Sequence, residues 1–217
     1  MDGVRGRGSA MQFGGEDAQV LERVMRWRRD VRHFRPDPIP EPVIDELARA
    51  MELAPSVGNS RPWRVIRVAS PALRRALWEE FVHSNAEAAR PYRGERRRAY
   101  ARLRLAGLDR APLQLAVFTD TDPPEGMGLG RATMPQTLHQ STAMAIHALW
   151  LAARARNLGL GMVSIIRPER VAALLGAPQG WAFSALLCLG RAAFDDDTPL
   201  LDRAGWQEST ARPWLTA

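Results

Sequence analysis

The chain reads as α+β, because helical and β-rich stretches interleave while the β-rich runs are too few and too unevenly spaced for a doubly wound parallel sheet. Three observations carry this. Trp63–Val68 alternates and is rich in β-formers, Leu113–Thr119 is a short apolar run, and Ser141–Asn157 is a long apolar stretch with no charge before Arg154. A helix of that composition is expected to be buried on most sides.

Taken in order, residues 1–15 are Gly-rich and read as a disordered lead-in to a single domain spanning 16–217. Ala18–Trp27 places Val20, Leu21, Val24 and Trp27 at helical spacing, so a short amphipathic helix is expected. Prolines at 36, 38, 40 and 42 force an extended connection into a second helix, Glu41–Leu53, where Pro42 sits in a tolerated first turn. Residues 54–62 form a loop of turn-forming residues ahead of the Trp63–Val68 strand. Pro71–Ala106 reads as mostly helical, broken near Pro91–Gly94. After the Leu113–Thr119 strand, Asp120–Pro135 is a long loop of the kind that is usually functional or mobile. Strands at Leu160–Ile166 and Ala182–Leu189 flank a short helix at Pro168–Leu175. The polar tail from about 192 to 217 carries Trp206 and Trp214, which marks it as docked on another surface, a partner subunit being one candidate.

Composition narrows the chemistry. All 30 basic residues are Arg, so Schiff-base lysine chemistry is excluded and a phosphate must be held by guanidinium or backbone N–H groups. The net charge of +6 is spread along the chain among 24 acidic residues, which argues against a nucleic-acid surface. The single cysteine, Cys188, lies in an apolar run and reads as a buried structural thiol. The four histidines show no metal-ligand spacing, and Gly126, Gly128 and Gly130 follow no clear βα unit. No signal peptide or membrane span is read, so the cytoplasm is the default compartment.

Three segments could carry chemistry. Arg28-Arg29-Asp30-Val31-Arg32 places three guanidinium groups and a carboxylate just after a helix, suited to phosphate or equally to a solvated helix end. Ser56, Asn59 and Ser60 offer polar groups beside a tight turn, as a ligand loop or a capped helix end. Gly159 and Gly161 permit close backbone approach ahead of Ser164, a hydroxyl expected inside an apolar strand.

The order of these segments resembles the nitroreductase family over residues 18–191. The string runs through Arg-Arg-Asp-Val-Arg, Ala54-Pro-Ser-Val-Gly58 with Pro62-Trp63, Gly130-Arg131, Met134-Pro135, Leu149-Trp150, Val163-Ser164-Ile165 and Leu187-Cys188-Leu189-Gly190. More narrowly, Asp30 together with Ser164 is similar to the 5,6-dimethylbenzimidazole synthase branch. That resemblance implies a mixed or antiparallel sheet flanked by helices, FMN at the interface of an intertwined homodimer, and a C-terminal arm wrapping the partner. It implies that Arg28, Arg29 and Arg32 hold the FMN phosphate and ribityl chain, with Val31, Ser56, Asn59 and Leu105 also at the flavin. Asp30 and Ser164 would act in the chemistry. The implied reaction fragments reduced FMN with O₂ into 5,6-dimethylbenzimidazole and erythrose 4-phosphate for cobalamin biosynthesis, with a separate flavin reductase as supplier. The alternative is an NAD(P)H-dependent flavin or nitro-compound reductase. The branch often has Gln-Asn-Leu-Trp where this chain has His147-Ala148-Leu149-Trp150, and Asp-Leu-Tyr-Ser where it has Leu138-His139-Gln140-Ser141.

Overall fold

The computed structural model describes residues 11–103 and 107–216. Four strands, β1 (Trp63–Arg67), β2 (Leu113–Asp120), β3 (Gly159–Val163) and β4 (Trp181–Gly190), form one antiparallel sheet in the order β1-β2-β4-β3. Strand β2 is central and buried from Leu113 to Thr119, so both of its faces must be covered by apolar layers. Leu113, Leu115 and Val117 face a core completed by Leu47 and Met51 of α2 (Glu41–Glu52) and by Ala145, Leu149 and Ala153 of α5 (Thr137–Ala155). The alternate residues Ala116 and Phe118 face Leu77 and Phe81 of α3 (Pro71–Ala88) and Val171 of α6 (Pro168–Leu175). The period-2 alternation of a strand thus builds two cores from one run.

Local signals set the helix ends. Pro lies in the first turn of α2, α3 and α6, where its missing N–H costs nothing. Helix α6 stops at Gly176, whose φ of 61° is left-handed and free of a Cβ penalty there.

The break expected near Pro91–Gly94 is present, between α3 and α4 (Gly94–Arg102), and Leu105 lies outside the described residues. Several sequence expectations are corrected. The lead-in ends at Gly15, where α1 (Gly15–Trp27) begins, and residues 1–10 also lie outside the described residues. Helix α5 starts at Thr137, four residues before the expected Ser141, and Ser141 Oγ donates to the Thr137 carbonyl at 2.6 Å within it. That helix is not covered on most sides within the protomer: Ala143, Met144 and His147 are exposed. Helix α1 buries no residue, and Val20, Leu21 and Met25 stand in solvent. Strand β3 ends at Val163, not Ile166, which leaves Ser164 exposed beyond the strand rather than buried in it.

The tail divides. It contains α7 (Leu200–Arg203), and Trp206 docks on its own protomer, with its ring 5.3 Å from that of Tyr92. Trp214 is almost fully exposed.

Candidate functional site

Residues 28–35 leave α1 and are stitched along the β3 edge of the sheet. Asp30 forms a parallel bridge with Leu160, and the Val31 N–H donates to the Leu160 carbonyl at 3.0 Å. Phe34 then pairs with Ala192, just past β4. This close approach explains the glycine pair. A Cβ on Gly161 would overlap the Val31 carbonyl oxygen, and one on Gly159 would meet the Val31 side chain at 2.7 Å. No other residue fits there without moving the arginine segment away from the sheet.

Docking fixes the side chains. One Asp30 carboxylate oxygen accepts the Met162 N–H at 2.9 Å, and the other pairs with Arg32. Arg32 in turn donates to the Met162 carbonyl at 3.0 Å, so one residue of β3 holds both partners of the ion pair. Burial and adjacent guanidinium groups act on Asp30 in opposite directions. Burial dominates and raises its pKa above the ordinary carboxylate value, against the pull of Arg32, the Met162 N–H and Arg28. A carboxyl group so placed is suited to exchanging a proton closer to neutrality than an exposed Asp.

The other arginines spread around a cleft. The Arg28 guanidinium lies 4.8 Å above the Trp150 ring of α5, and burial with the neighbouring Arg29 lowers its pKa. Arg29 donates from Nε to the Asp197 carbonyl at 2.6 Å and from Nη1 to the Arg28 carbonyl at 2.9 Å. The same cleft is lined by Arg154 and by Asp195, Asp196 and Arg203 of the tail. Arg154, paired with Asp195, lies in the family-like string but is not read there as a site residue, and Arg203, paired with Asp196, is not singled out by the sequence. Nothing in their local sequence marks them, since the fold alone brings α5 and the tail to residue 29.

Ser164 joins this group from the end of β3. It shares a cavity of roughly 250 Å³ with Arg32, the latter also held by Asp30. Arg32 thus touches both Asp30, with which it pairs, and the cavity that Ser164 lines. Cys188 takes no part in it: burial pushes its thiol up to about 12, far from a reactive thiolate.

The Ser56 loop stands elsewhere on α5. The Val57 N–H donates to Ser141 Oγ at 3.0 Å, and Ser56 Oγ accepts the Arg61 N–H at 3.1 Å. Ser141 precedes Trp150 by about 14 Å of helix axis, so the loop and Arg28 sit at different levels of one helix. Asn59 and Arg61 both have positive φ, 55° and 43°, a costly backbone that persists only where its surroundings enforce it. Gly126 enforces it in part, since a Cβ there would meet the Gly58 carbonyl at 2.7 Å. Among the described residues, three buried side-chain polar atoms lack a partner within the protomer: Ser60 Oγ, Gln114 Oε1 and Trp150 Nε1. Such groups are costly unless a ligand, water or second chain satisfies them.

The nitroreductase family matches residues 25–191, from the end of α1 to the residue after β4. This chain belongs to that family. A 5,6-dimethylbenzimidazole synthase of Rhodobacter capsulatus is 62% identical over 204 residues, covering 94% of this chain and 99% of that protein. A 5,6-dimethylbenzimidazole synthase of Rhodospirillum rubrum is 51% identical over 193 residues, covering 89% of this chain and 92% of that one. The crystal structure of oxidized iodotyrosine deiodinase bound to FMN and 3-iodo-L-tyrosine matches with a TM-score of 0.70 at 19% identity, covering 91% of this chain and 97% of that chain. That last likeness is one of fold. The cleft brings Arg28, Arg29, Arg154 and Arg203 together with Asp195 and Asp196, which pair with Arg154 and Arg203, and the buried indole N–H of Trp150 beside it lacks a partner.

Proposed function

We propose that this chain is a 5,6-dimethylbenzimidazole synthase that consumes reduced FMN and O₂ and releases 5,6-dimethylbenzimidazole and erythrose 4-phosphate. The observation that carries the reading is Asp30. Burial raises the pKa of its carboxyl, Arg32 and the Met162 N–H clamp it, and Arg32 also lines the cavity of Ser164, in a chain alike to such synthases along almost its whole length. Arg28, Arg29 and Arg32 would hold the phosphate and ribityl chain, with Val31 as the backbone that docks them. Ser56 and Asn59 would reach the flavin from the second loop. Leu105, outside the described residues, keeps its proposed place against the flavin on resemblance alone. Bound reduced FMN supplies both the electrons and the ring atoms of the product. Asp30 moves a proton at its carboxyl, and Ser164 orients a polar atom through its hydroxyl.

The exposed apolar residues of α1 and α5 support a homodimer, with each chain covering those faces of the other. The separation of the Ser56 loop from Arg28 supports a flavin site shared across that interface. A separate flavin reductase in the cytoplasm would supply the reduced flavin. Among the described residues, no helix is long and apolar enough to cross a membrane.

The test is product analysis after mixing the protein with reduced FMN and O₂. Dimethylbenzimidazole and erythrose 4-phosphate in equal amounts are expected. Quantitative return of intact oxidised FMN, with turnover on NAD(P)H, overturns the synthase reading in favour of a reductase.

A further inference from the structure

The cavity that holds Ser164 and Arg32 is also lined by three aromatic rings, Tyr92, Tyr100 and Trp206. Tyr100 belongs to α4, Tyr92 to the turn before it, and Trp206 to the tail. The Trp206 ring meets Tyr92 edge-on at 5.3 Å and 88°, and lies 6.1 Å from Tyr100. The Arg96 guanidinium caps the cluster, 5.2 Å from the Trp206 ring and 5.9 Å from Tyr92.

Helix α4 needs this support. Its nine residues include four arginines, and Tyr100 is the only one buried. A nine-residue helix is marginal alone and takes its stability from tertiary contact. The Tyr100 hydroxyl donates to Asn85 Oδ1 at 2.7 Å, which ties α4 to α3. Trp206 supplies the second tie.

Trp206 is itself held firmly. Its N–H and that of Gln207 both donate to the Leu201 carbonyl, at 2.8 and 3.2 Å. Gly205, with φ of 65°, turns the chain back to allow this. Upstream, Arg203 pairs with Asp196, and the Asp197 carbonyl accepts from Arg29. One short segment thus fastens the wall of the Ser164 cavity to an arginine of the cleft.

We infer that Trp206 is a positioning residue that holds α4 as the wall of the Ser164 cavity and shields bound flavin from solvent. The inference rests on the synthase reading only for its chemical consequence. Reduced FMN can pass two electrons and two protons to O₂, giving oxidised FMN and H₂O₂ with no carbon–carbon bond broken. A closed cavity keeps flavin and oxygen together for the productive route, and an opened one favours this loss.

The experiment uses the full chain and the variants Trp206→Ala, Trp206→Phe and Arg96→Gln. Two quantities are measured: iodide quenching of bound oxidised FMN, and the ratio of dimethylbenzimidazole to H₂O₂ from reduced FMN and O₂. Trp206→Ala is expected to raise the quenching constant several-fold and lower the product ratio several-fold, with FMN affinity nearly unchanged. Trp206→Phe restores both towards wild type, and Arg96→Gln falls between. Wild-type quenching in Trp206→Ala overturns the proposal. If circular dichroism shows that Trp206→Ala has unfolded, the comparison of Arg96→Gln with wild type decides it in the same way. If wild type forms no dimethylbenzimidazole, the synthase reading fails and the quenching measurement alone decides the role of Trp206.

Discussion

At the scale of single residues, Asp30 shows how environment sets a proton affinity. An Asp among arginines is ordinarily pushed down in pKa, yet here burial outweighs the guanidinium groups and the value is raised. Replacing it with Asn is expected to abolish dimethylbenzimidazole formation while FMN binding persists, since the arginines remain. Chromatography of products and flavin titration check this. If Asp30 acts as a base, the acid limb of the wild-type rate lies above the ordinary Asp value of about 3.9. The raised pKa also has a sign in stability. Asp30 contributes stability that is fully present below its unfolded pKa and is lost as pH rises through the folded value. The melting temperature of Asp30→Asn relative to wild type is therefore expected to be more favourable at pH 7 than at pH 4. A difference that moves the other way contradicts the burial argument.

At the scale of elements, two contacts decide where the site residues stand. Gly161 lets the arginine segment lie against β3, and Gly161→Ala forces the Val31 carbonyl away. Overpacking of this kind costs about 1–3 kcal/mol, occasionally more. Denaturant unfolding should show that loss together with weakened FMN binding, because Arg28 to Arg32 move as a unit. The second contact joins α3 to the residue that precedes α6. Glu80, nearly buried, takes two hydrogen bonds from the Arg167 guanidinium at 2.6 and 2.7 Å and one from Ser84 at 2.9 Å. These bonds, with Arg167 first, hold its pKa down at about 2. Its stabilising contribution is present above the unfolded value near 4.5 and is lost as pH falls towards 2. Glu80→Gln is expected to lower the melting temperature at pH 7, and the gap from wild type should close as acid is added.

At the scale of the whole molecule, the apolar surface of α1 and α5 has no cover within one protomer. Met144 is 41% exposed on α5, whose opposite face is buried, and Val20 is 49% exposed on α1, which touches α5 yet buries no residue. Met144→Glu is expected to convert a dimer into a monomer in sedimentation analysis and to lower FMN affinity with it. A monomeric wild type, or a monomeric variant that binds FMN as wild type does, removes the shared-site proposal.

Much of this was legible in the sequence because it depends on near neighbours. Strand and helix periodicity placed β1, β2, β4, α2 and α6 within a few residues, and the Arg28–Arg32 and Gly159/Gly161 motifs marked both surfaces of one contact. The α+β class followed from the same spacing. Other features depend on groups far apart in the chain, and only the tertiary structure decided them. Whether burial or charge governs Asp30 turned on the packing of its segment against β3, whose Met162 lies 132 residues away in the chain. The exposure of Ser164 turned on where pairing with β4 stops. Trp206 lies against α4 of its own chain because the tail doubles back through Leu201 and Gly205. Local propensity fixes which residues form an element, whereas desolvation and packing are sums over whatever the fold brings near.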